Sequence, residues 1–456
     1  MKSKIALLVI VLLAATTMAA FAAGGQEAAP AAPAATPAPA AAPAPAPMPK
    51  REINVLLWDD PYPKALQAML PEFEKATNIK VNIEMLQPPQ VLTKTAISVT
   101  NTTTDYDVVG IDEGNVPVFA SLLLPFDQWA KGTVYPKTDP ASVTPKMYSI
   151  GTWDGVQLGV PINGNLYVWM TRKDLIENPT YRTQFKAKYG YDLAVPKTFK
   201  EMLEMGTFFH ENGIASGFGP FNGGPAGVLS EAVYMWESYG TKFIEYTGGT
   251  FKVVLDEDKA VEGIEFYKKL MAISPKGAET MAHVERQAAF AADPKGVFSM
   301  FIWPAQIAAY EDPNKSLVAG KIAYSAPPAG PRGQAAVTGA WAISIPKASK
   351  NQEAAAEFVY WWSSKAVADK LVQANTIPAR TESLTNPAYA ASKPWLPALA
   401  DSMAVAASRP RFKEIGEVQD VVKKYWVQGI TGAMPTRDAI RAIVKETNDI
   451  LKKAGY

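Results

Sequence analysis

The sequence predicts an α/β fold with material for two cores, and three observations carry that expectation. Between Ile53 and Ile111, short apolar runs alternate with segments whose apolar residues recur at helical spacing. That β-α-β-α-β order builds a mostly parallel sheet with helices on both faces. A chain of 456 residues with 48% hydrophobic content holds more apolar surface than one small domain buries. The α/β pattern then continues to the C-terminus with no detectable internal repeat.

Lys2 and Lys4 precede an apolar run from Ile5 to about Ala15, and Ala20-Phe21-Ala22 supplies the small residues of a cleavage site. Residues 1–23 therefore read as a removable export signal. The run from Ile5 to Phe21 is short for a bilayer span, and no Cys stands at the junction to carry a lipid, so a soluble periplasmic product is expected. Residues 24–50 form an Ala/Pro-rich linker. From Ala28 to Pro49 it holds 12 Ala, 8 Pro, one Thr and one Met, a composition of either an extended tether or a disordered tail.

Ile53 to Trp58 reads as a strand, and Leu66, Met69, Leu70 and Phe73 as one helix ended by Thr77-Asn78. Ile79, Val81, Ile83 and Met85 alternate with polar residues, the period of a half-buried strand. A helix from about Pro89 to Val99 leads to a buried strand, Asp107 to Ile111, that ends in Asp112-Glu113-Gly114-Asn115. Sheets of this kind bind ligands at the carboxyl ends of their strands, where Trp58-Asp59-Asp60 and Asp112-Glu113 stand. Two strand-like runs, Val156 to Pro161 and Leu166 to Met170, flank Ile162-Asn163-Gly164-Asn165. Thr198 and Glu201 have the spacing of a capping box. Later helices are marked by Val261, Ile264, Tyr267 and Met271, by Glu353 to Val372, and by Ile440, Ile443, Val444 and Leu451.

Lys and Arg (45) nearly balance Asp and Glu (44), so no strong field draws in nucleic acid or an anionic membrane. With no Cys and only His210 and His283, the chain is poor in nucleophiles and soft metal ligands. No catalytic residue, metal or cofactor is expected. Asp256-Glu257-Asp258 lacks the spacing of a calcium loop and reads as a helix start. The Gly217-Phe-Gly219-Pro-Phe-Asn222-Gly-Gly224 stretch fails the spacing of a nucleotide loop, follows no strong strand, and is expected to be a flexible cleft loop.

Several segments, in order and over nearly all of residues 52–456, resemble the family of extracellular solute-binding proteins that includes maltose-binding protein. Ile53 to Trp58 followed by Leu70-Pro-Glu-Phe-Glu-Lys-Ala-Thr-Asn-Ile-Lys-Val81 resembles its opening, as does Asp105-Tyr-Asp-Val-Val-Gly-Ile-Asp112. Trp153 to Pro161 with Trp169-Met-Thr-Arg-Lys-Asp-Leu175 is similar to its crossing strand, with Met170-Thr-Arg where Tyr-Asn is usual. Pro196-Lys-Thr-Phe-Lys-Glu201, Ala289 to Met300 and Thr338-Gly-Ala-Trp-Ala-Ile-Ser-Ile-Pro346 resemble later family segments. The resemblance implies a two-lobed periplasmic-binding-protein fold of the class II type, with hinged lobes built on central mixed sheets. It places one lobe at 52–165 plus 343–375 and the other at 171–338 plus 380–456, with crossings near Tyr167, Gly339 and Ile377.

A sugar presents C–H-rich faces and hydroxyl edges, so its site needs aromatic planes and polar groups at the rim. The expected ligand-binding residues are Trp58, Asp59, Asp112, Glu113, Asn163, Trp303 and Trp341. The carboxylates either accept from ligand hydroxyls or cap helices, and Asn163 and Asn165 either donate to ligand or form a turn. Trp303 and Trp341 fall where the family places cleft aromatics. Trp236, Trp361 and Trp362 sit in helical patterns and read as core. The expected function is capture of a small polar solute, most simply a sugar or polyol, and delivery by a monomer to the permease subunits of an ABC importer. The alternatives are a secreted glycoside hydrolase or lyase, and the same fold binding a peptide or polyamine.

Overall fold

The computed structural model of the protein describes residues 50–456 apart from Gly248 and Pro294. The expected export signal and all but Lys50 of the Ala/Pro-rich linker lie outside the described residues. The two main sheets use strands β1 (Arg51–Trp58), β2 (Ile79–Leu86), β3 (Val108–Asp112), β4 (Val160–Pro161), β5 (Val168–Arg172), β6 (Ser216–Phe218), β7 (Val297–Ile302), β8 (Ile322–Ser325) and β9 (Trp341–Ser344).

The first sheet has the order β2-β1-β3-β9-β4. β1 runs parallel to β2, with Ile53 opposite Val81, and parallel to β3, with Val55 opposite Val108. β9 runs antiparallel to β3 and to β4, so the sheet is mixed where the local β-α-β order predicts mostly parallel. The reason is that β9 enters from the distant end of the chain, free of the βαβ handedness that makes neighbours parallel. Its register sets Trp341 opposite Asp112. The second sheet, β8-β5-β7-β6, has β5 antiparallel to both β8 and β7, and β6 parallel to β7. β5 and β7 are buried along their whole length and are mostly apolar, with Thr171, Arg172 and Ser299 buried among them.

Two departures from the sequence expectation have local causes. The first helix divides into Pro61–Gln67 and Leu70–Thr77, because Pro71 has no N–H to donate and takes a first-turn place in a new helix. Asn78 ends that helix at φ 54°. Of the stretch expected as a flexible cleft loop, Gly217 and Phe218 belong instead to β6, while Gly219 to Gly224 form neither strand nor helix and bring Phe221 to the cavity; the helix Phe199–Glu211 lies so close that a Cβ on Gly217 would sit 2.7 Å from the backbone of Gly206. Glycine at both positions lets helix and strand touch. The Thr198/Glu201 capping box forms, and Asp256 caps the helix Glu257–Ala272.

Each sheet carries its own core. One gathers Ile53, Phe73, Val108, Phe358 and Trp362; the other gathers Met170, Trp236, Tyr267, Phe301 and Trp426. Trp236, Trp361 and Trp362 are buried, and the C-terminal helix Ile415–Thr431 sets Trp426 edge-on to Trp236 at 6.0 Å. Backbone around residues 162–167, 337–341 and 377–379 runs between the sheets side by side. Tyr167 N–H donates to Val337 O (2.9 Å), Gly339 N–H to Asn165 O (2.9 Å) and Ala379 N–H to Ile162 O (3.0 Å). Among the described residues no helix is long and apolar enough to cross a membrane.

Candidate functional site

A cavity of about 200 Å³ opens between the two sheets. From the first sheet's side it is lined by Trp58, Asp59, Asp60, Gln87, Asp112 and Trp341, all at or just past strand ends or, for Trp341, at a strand start. From the other side come Phe221, Ser230, His283, Trp303, Gln306 and Arg409, while Asn165 and Gly339 of the crossing backbone form its floor. Strand ends supply these groups because the sheets' backbone hydrogen bonds stop there, leaving side chains free to face the opening.

The aromatic groups are held by packing. Trp58 and Trp341 stack with centroids 4.3 Å apart and planes 17° from parallel, a consequence of β1, β3 and β9 being neighbours. Trp303 meets Tyr167 edge-on at 4.6 Å and lies over Gly339, where a Cβ would come within 2.4 Å of the indole ring. Glycine at 339 is what admits Trp303 to the floor.

The polar groups divide into free and committed ones. Asp59 faces the cavity and pairs with the exposed Lys64. Asp60 caps the helix Pro61–Gln67 by accepting from Tyr62 N–H (3.0 Å). Its surface is partly open to the cavity, yet burial pushes its carboxyl up to about 7, against the pull of the Tyr62 N–H and Lys64. Arg409 reaches both carboxylate oxygens of Asp112 through Nη2 (2.9 and 2.8 Å) and Glu113 through Nε (3.3 Å). Burial alone would lower the Arg409 pKa, but the two carboxylates outweigh it and hold the guanidinium above its ordinary range. His283 accepts from Gln306 Nε2 at Nδ1 (3.2 Å), which leaves the proton on Nε2; burial, aided by Arg286, lowers its pKa to about 4. His283 and Gln306, bonded to each other, thus line the side of the cavity opposite the first sheet's carboxylates.

Of the residues expected from sequence, Trp58, Asp59, Asp112, Trp303 and Trp341 line this one cavity. Glu113 and Asn163 do not. Glu113 is 1% exposed and accepts from Thr338 Oγ1 (2.7 Å) and Arg409, and Asn163 is fully buried with Oδ1 accepting from Trp341 N–H (2.9 Å). Sequence reasoning missed Arg409, His283, Gln306, Ser230 and Gln87. Only Gln87 carried a local signal, since it follows a strand end; Arg409 lies 297 residues from Asp112.

Among known proteins, the chain is 24% identical over 306 residues to a probable amino-acid ABC transporter periplasmic-binding protein of Sinorhizobium fredii, covering 66% of this chain and 65% of that one. The match therefore spans just under two thirds of the curated relative. Its fold is similar to that of an ABC transporter solute-binding protein from Agrobacterium radiobacter solved with ribitol (TM-score 0.74, 22% identity, 89% of this chain and 100% of that one). It is similar also to the maltose-bound MalE3 of T. maritima (TM-score 0.73, 22% identity, 88% and 100%). These likenesses establish a two-lobed periplasmic-binding-protein fold. The model of the bacterial extracellular solute-binding protein family matches residues 59–369, more than half of the sequence, and the chain belongs to that family.

Proposed function

We propose that the protein is the exported, monomeric receptor of an ABC importer, closing its lobes around a sugar or polyol and presenting the closed form to the permease subunits. The reading rests above all on the cavity between the sheets, in which an indole stack and carboxylates from one side meet a third indole, Trp303, from the other. Flat rings cover the C–H faces of a sugar while Asp59, Gln87, Gln306 and His283 meet its hydroxyls. The ribitol and maltose bound by the fold relatives are ligands of this chemistry. The lobes proposed are 52–165 plus 343–375 and 171–338 plus 380–456, joined near Tyr167, Gly339 and Ile377.

A second reading has one observation behind it. Arg409 beside Asp112 offers a cation and an anion at fixed spacing, which suits an amino-acid zwitterion, and the Sinorhizobium relative is described as an amino-acid transporter component. Titration calorimetry over sugars, polyols, amino acids and polyamines separates the two. Heat from a sugar or polyol, with the solute recovered intact, is the expected result; heat from amino acids alone overturns the sugar reading, and conversion of a glycan overturns the receptor reading.

A further inference from the structure

Two buried ionisable side chains, Glu231 and Arg286, stand behind one wall of the cavity without lining it. Phe221 lines the cavity, and its ring packs on the helix Pro225–Ser238 at Gly227, where a Cβ would come within 2.9 Å of the ring. One turn further along the same helix face is Glu231, whose Oε1 accepts from the Phe221 N–H (2.7 Å). Glycine at the first position admits the ring, and the carboxyl at the second holds its backbone. The short helix His283–Gln287 brings in Arg286, whose guanidinium lies 5.1 Å from the Phe221 ring and 4.3 Å from that of Phe301 and donates from Nη2 to Phe301 O. His283, three residues earlier, lines the cavity with its ring 4.3 Å from that of Phe221.

A buried guanidinium needs a compensating charge, and two rings with one carbonyl supply only part of it. Arg286 Nε has no hydrogen-bond partner among the described residues, and Glu231 is a carboxylate whose charge reaches Arg286. The other titratable groups that face Glu231 are hydroxyls: Tyr167 of the crossing backbone, Tyr234 of its own helix, which donates to Pro328 O (2.9 Å), and Tyr267 of the helix Glu257–Ala272, which donates to Asn222 Oδ1 (3.2 Å). Burial raises all three phenols well above their ordinary range, so the charge balance behind this wall lies with Glu231 and Arg286. Burial also pushes the Glu231 carboxyl up to about 7, against the pull of Arg286, the Phe221 N–H and the Tyr267 hydroxyl. Above that pH the pair is neutral as a whole and the bond to Phe221 is charge-assisted; below it that bond weakens and Arg286 loses its countercharge.

We propose that Glu231 is a positioning residue for the solute: ionised, it holds Phe221 by the backbone and, by fixing Arg286, holds His283 in the cavity wall, so that affinity rises with pH. This rests on the cavity being the solute site and is independent of the solute being a sugar. His210 and His283 are the only histidines of the chain, so in His210→Asn the remaining imidazole reports on this wall by NMR with no solute present. The His283 ring C–H shift is expected to inflect near about pH 7, although the imidazole itself titrates at about 4. That inflection should vanish when Glu231→Gln is added, which keeps an acceptor for the Phe221 N–H. It should persist when Asp60→Asn is added, Asp60 being a second cavity carboxyl raised to about 7. In calorimetry with ribitol and with maltose, the ratio of affinity at about pH 8 to that at about pH 6 should be about fivefold higher in the parent than in Glu231→Gln, the difference between a hydrogen bond to a charged and to a neutral group. An absent inflection, one that survives Glu231→Gln, or equal ratios in parent and variant overturns the proposal. Heat from neither probe counts against the sugar reading alone, with the imidazole signal still deciding the role of Glu231.

Discussion

Asp59 and Asp60 are adjacent in sequence and differ in role because the chain turns between them from strand to helix. Asp59 lines the cavity, where a hydrogen bond to a charged group contributes about 1.5–3 kcal/mol. Asp59→Asn is therefore expected to weaken solute binding by roughly ten- to a hundredfold in calorimetry. Asp60 is raised to about 7 by burial. Between about pH 4, where an ordinary Asp titrates, and about 7, the folded chain holds a proton that the unfolded chain has lost. Its stabilising contribution is thus full below that window and is lost as pH rises through it. Asp60→Asn keeps the helix cap and removes the charge, so its melting temperature should match the parent near about pH 4 and exceed it increasingly toward about pH 8. A constant offset across that range would contradict the burial of Asp60.

At the scale of elements, the strap carrying Arg409 ties the segment before the helix Ile415–Thr431 to the end of β3. Strand pairing of Ala406–Ala407 with Ala336–Val337 anchors it, and the ion pairs with Asp112 and Glu113 finish it. Removing one partner of a buried ion pair leaves uncompensated charge at a cost of about 3–5 kcal/mol. Arg409→Met should lower the denaturant midpoint accordingly, and combining it with Asp112→Asn and Glu113→Gln should restore much of the loss. The crossing backbone makes a different demand. Gly339→Ala places a methyl within 2.4 Å of the Trp303 ring, so the indole must leave the cavity floor. Solute affinity should fall by at least about tenfold, and the melting temperature should fall as well, because Trp303 is buried against Tyr167 and displacing it disturbs the core.

At the scale of the molecule, ligand contacts distributed over both lobes shift the population toward the closed form, whereas contacts with one lobe alone would not. Small-angle scattering at saturating solute should show a smaller radius of gyration than without it. Solute at about a hundred times its dissociation constant should also stabilise the fold by about 2.7 kcal/mol, read as a rise in melting temperature.

Much of this was legible in the sequence, since periodicity records which face of each element is buried. The strands β1, β2 and β3, the capping box at Thr198 and the placement of acidic residues at strand ends follow from patterns a few residues long. Colinear segments carried the family and with it the two lobes. Tertiary structure alone decided the polar half of the site. Glu113 and Asn163 look like rim residues in sequence, but Arg409, Thr338 and the Trp341 backbone turn them inward. The partners that commit or free a side chain arrive from hundreds of residues away, and local spacing holds no record of them. Periodicity in the chain determined the strands and helices, and the family resemblance pointed to the aromatic wall; the meeting of distant segments determined which charges face the cavity.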